Sequence, residues 1–215
     1  MSTQPFDFHT HQLPTAGIYN WMIDENINAF SANKISVGLH PWKIDIENWQ
    51  SQLETIENLA QNPNVAAIGE CGLDRLINVP MLLQKQIFEE QVQLAHRLQK
   101  PVIIHCVKAY DELLHWKKSS KSKVPLVVHG FNNRIEIAKQ LVKNGFYFSF
   151  GAALLTQNSN ASKIISQISA ERIFLETDAQ TIDIESIYES AAINLNLSIP
   201  ELHHLMAHNL ASIGI

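Results

Sequence analysis

Two histidines separated by one residue stand near the start of the chain, in the segment Asp7-Phe8-His9-Thr10-His11. In an extended backbone, residues i and i+2 point to the same side, so His9 and His11 can both face one ion. Neutral imidazole is the commonest metal ligand among protein side chains. Taken alone, the pair fits a metal site and ordinary surface or core histidines about equally well, so the rest of the chain must decide.

Polar side chains recur directly after apolar, strand-like segments farther along the chain. In a (β/α) barrel all strands run in the same direction, and active sites lie on the rim where their carboxyl ends meet. Each polar residue also has an ordinary structural explanation, such as Glu70 pairing with Arg75 or Asp178 capping a helix. A shared position at strand ends favours one metal centre over several independent accidents. The residues in this position are His40, Glu70, His105, His129 and Asp178.

Short apolar segments alternate with segments of helical periodicity, which predicts a parallel sheet with helices outside it. The predicted strands are Phe6–His9, Ile18–Ile23, Ile35–Leu39, Val65–Gly69, Val102–His105, Leu126–His129, Phe146–Phe150 and Ile173–Glu176. The predicted helices are Asn48–Ala60, Met81–Leu98, Arg134–Lys143 and one that begins at Ile199-Pro200. Eight such strands predict an α/β fold, a (β/α)8 TIM-type barrel, formed by residues 1–215 as one domain.

The start of this barrel is expected to be compact and irregular, because the segments between His11 and Ile18 and between Met22 and Ile35 leave little room for helices. The lysine-rich and serine-rich segment Lys117–Lys123 is interpreted as an exposed loop.

Composition sets broad limits on function. The 215 residues carry a formal net charge of -5, with a sequence pI of about 6.0. This balance gives no overall attraction to nucleic acid or anionic lipid, although it does not exclude a local basic groove. Cys71 and Cys106 are interpreted as small buried strand-end residues rather than a disulfide framework. No signal-peptide pattern and no apolar segment of about 20 residues is found, so a cytoplasmic location with no membrane or protein partner is expected.

Six segments together resemble the TatD-like deoxyribonuclease family and stand in that family's order. The combination of Gly-Glu-x-Gly-Leu-Asp with His-x-His and Glu-Thr-Asp-Ala is specific, whereas no single segment would be. The matching segments run from residue 6 to 179. They are Phe6–His11, Gly38–Trp42, Ala67–Asp74, Pro101–Cys106, Val128–Phe131 and Leu175–Ala179.

The resemblance implies a metal-dependent hydrolase with an amidohydrolase-like barrel that cleaves phosphodiester bonds, in DNA or another phosphoester, by metal-activated water. It implies one or two divalent ions, and the mixed nitrogen and oxygen ligands admit Zn, Mn, Mg, Ni or Fe. Asp178 and Glu70 are the catalytic candidates, and His40 and Lys108 are the substrate-binding candidates. The implied metal ligands are His9, His11 and Asp178 for one ion, His105 and His129 for the other, and Glu70 as the bridge.

The chain departs from the family pattern where substrate would bind. Many relatives have an arginine two residues after the ligand that corresponds to His105, and here Val107 stands there, followed by Lys108. A lysine ammonium is a point charge without the bidentate fork of arginine. Two alternatives therefore stay open: a hydrolase of the same fold acting on an amide, lactone or small phosphoester, and a non-catalytic metal-binding relative. Trp42 and Trp49 favour packing or lid roles over nucleotide stacking.

Overall fold

Eight parallel strands form the centre of the structure, a computed structural model that describes residues 4–23 and 34–215. They lie side by side in sequence order. The strands are β1 (Asp7–Thr10), β2 (Gly17–Trp21), β3 (Lys34–Val37), β4 (Val65–Asp74), β5 (Val102–Val107), β6 (Leu126–Val128), β7 (Tyr147–Phe150) and β8 (Ile173–Leu175). Nearly all of their residues are buried, as expected for strands covered on both faces.

Helices follow most of these strands and cover the outside of the sheet. They are α1 (Trp49–Ala60), α2 (Met81–Leu98), α3 (Tyr110–Ser119), α4 (Ile135–Lys143), α5 (Asn160–Ile164), α6 (Ile184–Leu195) and α7 (Ile199–Ser212). Short 3-10 helices lie at Pro41–Lys43, Ala152–Leu155, Ile165–Gln167 and Ala170–Arg172. Among the described residues, no helix is long and apolar enough to cross a membrane.

The first and last strands meet, so the sheet is a nearly closed barrel. Thr10 and Asp178 form a parallel bridge. The amide of Asp178 donates to the carbonyl of His9 at 2.9 Å, and the amide of His11 donates to the carbonyl of Asp178 at 3.1 Å. The predicted (β/α)8 architecture is therefore confirmed, and its closure joins two segments that were predicted to carry metal ligands.

Apolar side chains from six strands form one cluster, which places that cluster inside the barrel. Phe8 of β1 stacks on Phe174 of β8 with ring centroids 4.3 Å apart. Leu210 and Ile213, at the end of α7, pack against the same cluster. The neighbouring Phe6 precedes β1, so α7 covers the amino-terminal end of the barrel and leaves the carboxyl-terminal end free for polar residues.

Several sequence predictions need correction. Strand β4 continues five residues beyond Gly69, to Asp74, so Glu70 lies within a strand. Lys117 and Lys118 belong to the last turn of α3, which the sequence analysis did not predict, and the exposed loop begins only after that helix. Helix α6 was also missed. No helix separates β1 from β2, as expected, while residues 24–33 of the next connection lie outside the described residues.

Glycine is required within β4 because its neighbour β5 approaches very closely. Gly72 has φ +153°, and a Cβ atom there would lie 1.9 Å from the carbonyl oxygen of His105. Gly69, which directly precedes Glu70, has φ +143°, and a Cβ atom there would lie 2.5 Å from the carbonyl oxygen of Ile103. The glycines on both sides of Glu70 thus let the two strands pack backbone against backbone.

We expect Gly72→Ala to lower the free energy of unfolding by about 3 kcal/mol or more, because the new methyl group must push β4 away from β5. The matched control is Gly145→Ala. Gly145 also has a positive φ, +82°, but nothing lies within 4 Å of its Cβ position. Only backbone strain of about 1–2 kcal/mol is expected there. Urea unfolding of both variants checks this, and equal losses would contradict the close-approach argument.

Candidate metal centre

The carboxylate of Glu70 lies at the middle of five histidines on the carboxyl-terminal end of the barrel. Its Oε2 atom is 3.4 Å from Nε2 of His9 and 3.6 Å from Nε2 of His11. Its Oε1 atom faces the other three rings: 2.9 Å from Nδ1 of His105, 2.8 Å from Nε2 of His129 and 3.0 Å from Nε2 of His40. Each oxygen of one carboxylate therefore faces a separate group of possible ligands.

Asp178 completes the group on the Oε2 side. Its Oδ1 atom lies 3.7 Å from Nε2 of His9 and 3.5 Å from Nε2 of His11. These three residues offer ligand atoms within 4.8 Å of one another, and so do His9, Glu70 and His129. The side chain of Asp178 is 37% exposed, whereas that of Glu70 is 5% exposed. The Asp178 side of the centre is thus open to solvent and the Glu70 side is closed.

The carboxylates behind two of the rings indicate which nitrogen of each would bind an ion. Nδ1 of His129 lies 3.5 Å from the buried Oε1 of Glu176, and Nε2 of His105 lies 3.3 Å from Oδ2 of Asp74. A proton on the nitrogen that faces each carboxylate leaves the other nitrogen, beside Glu70, with a lone pair. In their neutral form, His105 and His129 would therefore bind an ion through the nitrogen that faces Glu70.

His40 has the opposite arrangement. Its Nδ1 accepts a hydrogen bond from the backbone amide of Trp42 at 3.1 Å. In the neutral ring the proton must then be on Nε2, which faces Glu70. Burial lowers the pKa of His40 and outweighs the opposing effect of Glu70, so the neutral form is favoured. Although His40, Glu70 and His105 lie close enough to form a ligand group, His40 suits the role of a hydrogen-bond donor.

The charge of Glu70 depends on the surrounding rings. Burial alone would raise its pKa, but His129, His105 and His11 hold the pKa of Glu70 well below its usual range. The pKa of His129 is correspondingly raised well above its usual range, since Glu70 and Glu176 outweigh the effect of burial. Glu70 is thus an ionised carboxylate that requires positive charge close to both of its oxygens.

His9 provides the test of whether a cation fits. Its side chain is fully buried, and neither ring nitrogen has a hydrogen-bond partner among the described residues. A buried polar nitrogen left without a partner costs about 1–3 kcal/mol. An ion between His9, His11, Glu70 and Asp178 would supply the missing interaction, and nitrogen and carboxylate oxygen ligands suit several divalent metals. The residues present therefore fit a bound divalent cation.

Two buried residues of β2 and β3 orient Glu70, and the sequence analysis did not identify them. Oδ1 of Asn20 accepts from the backbone amide of Glu70 at 2.9 Å, and Nδ2 of Asn20 is 3.5 Å from Oε2 of Glu70. The hydroxyl of Ser36 donates to the same Oδ1 at 3.1 Å. The sequence does contain a signal for Asn20, because an asparagine within a buried apolar strand must have a hydrogen-bond partner.

Asp178 is positioned by a network that joins β1 to the end of β8. The carboxylate of Asp7 accepts from the amide of Thr177 at 3.0 Å and from its hydroxyl at 2.5 Å. The hydroxyl of Thr10 lies 2.9 Å from that of Thr177 and donates to the carbonyl of Asp178 at 3.4 Å. Burial raises the pKa of Asp7 to about 6, although the bonds from Thr177 oppose this rise. The network holds Asp178 at φ +55°.

Two glutamines on α2 hold the backbone beside the centre. Gln91 accepts from the amide of Leu39 at 2.7 Å and donates to its carbonyl at 3.2 Å. Gln84, two helical turns earlier, accepts from the amide of Asp74 at 2.7 Å and donates to its carbonyl at 2.9 Å. Each side-chain amide thus satisfies both backbone groups of one residue, as a neighbouring strand would. Leu39 precedes His40, so Gln91 fixes the backbone directly before the His40 side chain.

Lys108 is not brought into this group. It lies one residue beyond β5, its side chain is exposed, and its backbone carbonyl accepts from Nε of Arg75 at 2.9 Å. Val107, two residues after His105, is half-buried. The predicted contact of Lys108 with substrate stays a prediction.

These features define the class of protein: a parallel (β/α) barrel with a histidine and carboxylate centre at the carboxyl ends of its strands. The family described as TatD related DNase matches residues 20–191. That match covers well over half of the chain, and the chain belongs to this family.

Curated relatives agree with the assignment. The chain is 31% identical over 158 residues to the uncharacterized metal-dependent hydrolase YabD of Bacillus subtilis, a match that covers 72% of the chain and 61% of the relative. It is 33% identical over 150 residues to the 3'-5' ssDNA/RNA exonuclease TatD of Citrobacter koseri, covering 67% of the chain and 56% of the relative. The matched region therefore spans about six-tenths of these relatives.

Solved structures show the same fold. The TatD homologue YJJV of Escherichia coli superimposes with a TM-score of 0.82 at 20% identity, covering 97% of both chains. A TatD family hydrolase of Entamoeba histolytica gives a TM-score of 0.80 at 17% identity, covering 99% of this chain and 98% of the other.

We expect Gln91→Leu to lower the free energy of unfolding by about 2–4 kcal/mol, because the amide and carbonyl of Leu39 lose their partner in a buried setting. The control is Gln93→Leu on the exposed face of the same helix, where a change within about 0.5 kcal/mol is expected. Urea unfolding of the metal-free proteins measures both. Similar values for the two variants would show that the Leu39 backbone finds other partners.

Proposed function

We propose that this protein is a metal-dependent phosphodiesterase that acts on nucleic acid, with single-stranded DNA as the first substrate to test. The division of the Glu70 carboxylate between two ligand groups carries this proposal. A pair of divalent ions about 4 Å apart stabilises the attacking and leaving oxygens of a phosphoryl displacement and lowers the pKa of a water near them. The names of the relatives, which include metal-dependent hydrolases and ssDNA/RNA exonucleases, support the same reaction class.

The proposed ligands follow the geometry of the centre. His9, His11 and Asp178 would hold one ion, His105 and His129 would hold a second, and Glu70 would contribute to both. The number of ions and the metal are part of this proposal, and Zn, Mn, Mg, Ni and Fe are all compatible with the ligand types. The buried carboxylates Glu176 and Asp74 orient His129 and His105 from behind.

The chain's own groups supply the remaining chemistry. Asp178 is open to solvent and accepts the proton of the attacking water. His40 carries its proton on Nε2 and donates a hydrogen bond to a phosphate oxygen or to Glu70. Lys108 contributes a positive charge at the rim. Residues 1–215 are proposed to act as one hydrolase domain, and the cytoplasmic location stays a prediction.

One alternative rests on a specific residue. Val107 provides no bidentate donor for a phosphate, which favours keeping an amide, lactone or small phosphoester in the substrate panel. The non-catalytic reading is opposed by the complete set of ligand side chains around Glu70.

We expect Asp178→Asn to lower kcat/KM on a single-stranded DNA oligonucleotide by a factor of about 10²–10⁴, because the amide cannot accept the proton. The Glu70, His105 and His129 group is untouched, so at least one ion per chain should remain bound, as elemental analysis would show. The control is Asp183→Asn, an exposed carboxylate five residues away that should leave the rate unchanged.

The same assay with metal-loaded protein should include double-stranded DNA, RNA, and amide and lactone substrates. Turnover confined to amides or lactones would exclude the nuclease reaction. Folded protein that takes up no divalent metal would overturn the proposed centre as a whole.

A further inference from the structure

Trp42 is the residue whose position the proposed reaction does not yet explain. It lies two residues after His40, in the short 3-10 helix Pro41–Lys43, and 64% of its surface is exposed. Trp49, by contrast, is half-buried and packs against the core. The packing role favoured by the sequence therefore suits Trp49 but leaves Trp42 without an explanation.

The indole of Trp42 is held in place despite its exposure. Its Nε1 donates to Oδ2 of Asp74 at 2.7 Å, and its backbone amide donates to His40. Its ring meets the His40 ring at 4.9 Å with an interplanar angle of 80°, and the His105 ring at 5.6 Å and 75°. Both histidines face Oε1 of Glu70. The indole is thus fixed by its neighbours, in contact with two rings of the metal centre.

Asp74 also binds the backbone two residues farther along the chain. Its Oδ1 accepts from the backbone amide of Leu76 at 2.8 Å, while its Oδ2 holds the indole. Leu76 is 63% exposed. One buried carboxylate therefore holds the exposed indole of Trp42 and the backbone of Leu76. Isolated exposed apolar residues are common, but an exposed indole held by a hydrogen bond to a buried carboxylate is a built feature.

We propose that Trp42 is the stacking platform for a nucleobase adjacent to the phosphodiester at the metal centre. This inference rests on the proposed function and names the part of the substrate that the rim recognises. Stacking of a base on an aromatic ring contributes about 1–3 kcal/mol and is tolerant of sequence, because every base has a π face. The anchored ring needs no ordering when the base arrives, which reduces the entropic cost of binding.

The test compares two oligomers of equal length and charge. One is a thymidine hexanucleotide, and the other is an abasic sugar-phosphate hexamer that presents phosphates without bases. Binding is measured by fluorescence anisotropy on Mn²⁺-loaded protein that carries Asp178→Asn to suppress turnover. Hydrolysis of both oligomers is measured with Asp178 intact. Trp42→Ala is compared with Trp42→Phe, which retains a ring but lacks the N–H donor to Asp74.

We expect Trp42→Ala to weaken binding of the thymidine hexanucleotide about tenfold and to lower its kcat/KM by a similar factor. The abasic hexamer should be unaffected, and Trp42→Phe should lose less than Trp42→Ala. The control is Ile46→Ala, which truncates another exposed apolar side chain on the same connection. It should change neither oligomer.

The outcomes separate this inference from the proposed function. Equal weakening of both oligomers by Trp42→Ala, or no effect on either, overturns the platform even where the unsubstituted protein cleaves DNA. Absence of binding to both oligomers also overturns it. Binding that depends on Trp42 and on the bases, in a protein that cleaves neither oligomer, retains the platform and removes the proposed reaction.

Discussion

The contacts of one buried carboxylate organise the rest of this structure. Glu70 is ionised in a setting where an unpaired charge would be very costly, so positive or hydrogen-bonding groups must surround it. Five imidazoles do so, three beside one oxygen and two beside the other. Those rings come from the ends of four different strands or from the residues just after them. Only a closed barrel of parallel strands brings these ends together, and the bridge between Thr10 and Asp178 completes it.

Neutral amides hold this arrangement in place. Asn20, Gln84 and Gln91 are buried, and each bonds to a backbone amide or carbonyl of a residue in or beside the centre. An amide side chain offers one acceptor and two donor hydrogens, so it can satisfy both backbone groups of a residue without adding charge. A charged residue in these positions would alter the balance between Glu70 and the rings. The carboxylates that are buried in the described part of the chain, Asp7, Glu70, Asp74 and Glu176, each face a histidine or a hydroxyl.

Part of this could be predicted from the sequence, and the reason differs from residue to residue. The buried strands were found because parallel strands covered on both faces are continuous apolar segments. Their ends were less certain, since β4 continues through Glu70 to Asp74 in a segment that reads as a polar motif. Helix α3 was missed because its last turn consists of Lys117, Lys118 and Ser119, which resemble a loop.

Some of the site residues could likewise be predicted from the sequence, and others could not. His9, Glu70 and Asp178 could be predicted to converge, since the ends of parallel strands share one rim. Gln84 and Gln91 could not, because glutamines two turns apart on a helix are equally typical of an exposed face. Only the packing of α2 against β4 shows that these two are buried.

The role of each histidine depends on contacts that no sequence pattern contains. His40 and His105 both follow apolar segments and both face the same oxygen of Glu70. They differ in the second ring nitrogen, which meets a backbone donor in His40 and a carboxylate in His105. The first contact leaves a proton facing Glu70 and the second leaves a lone pair, so one ring is suited to donate and the other to bind an ion. With His40, His105 and His129 all buried and the side chain of Asp178 37% exposed, the centre is open to solvent on the Asp178 side. The carboxylate that is proposed to accept the proton therefore lies at the opening of the centre to solvent.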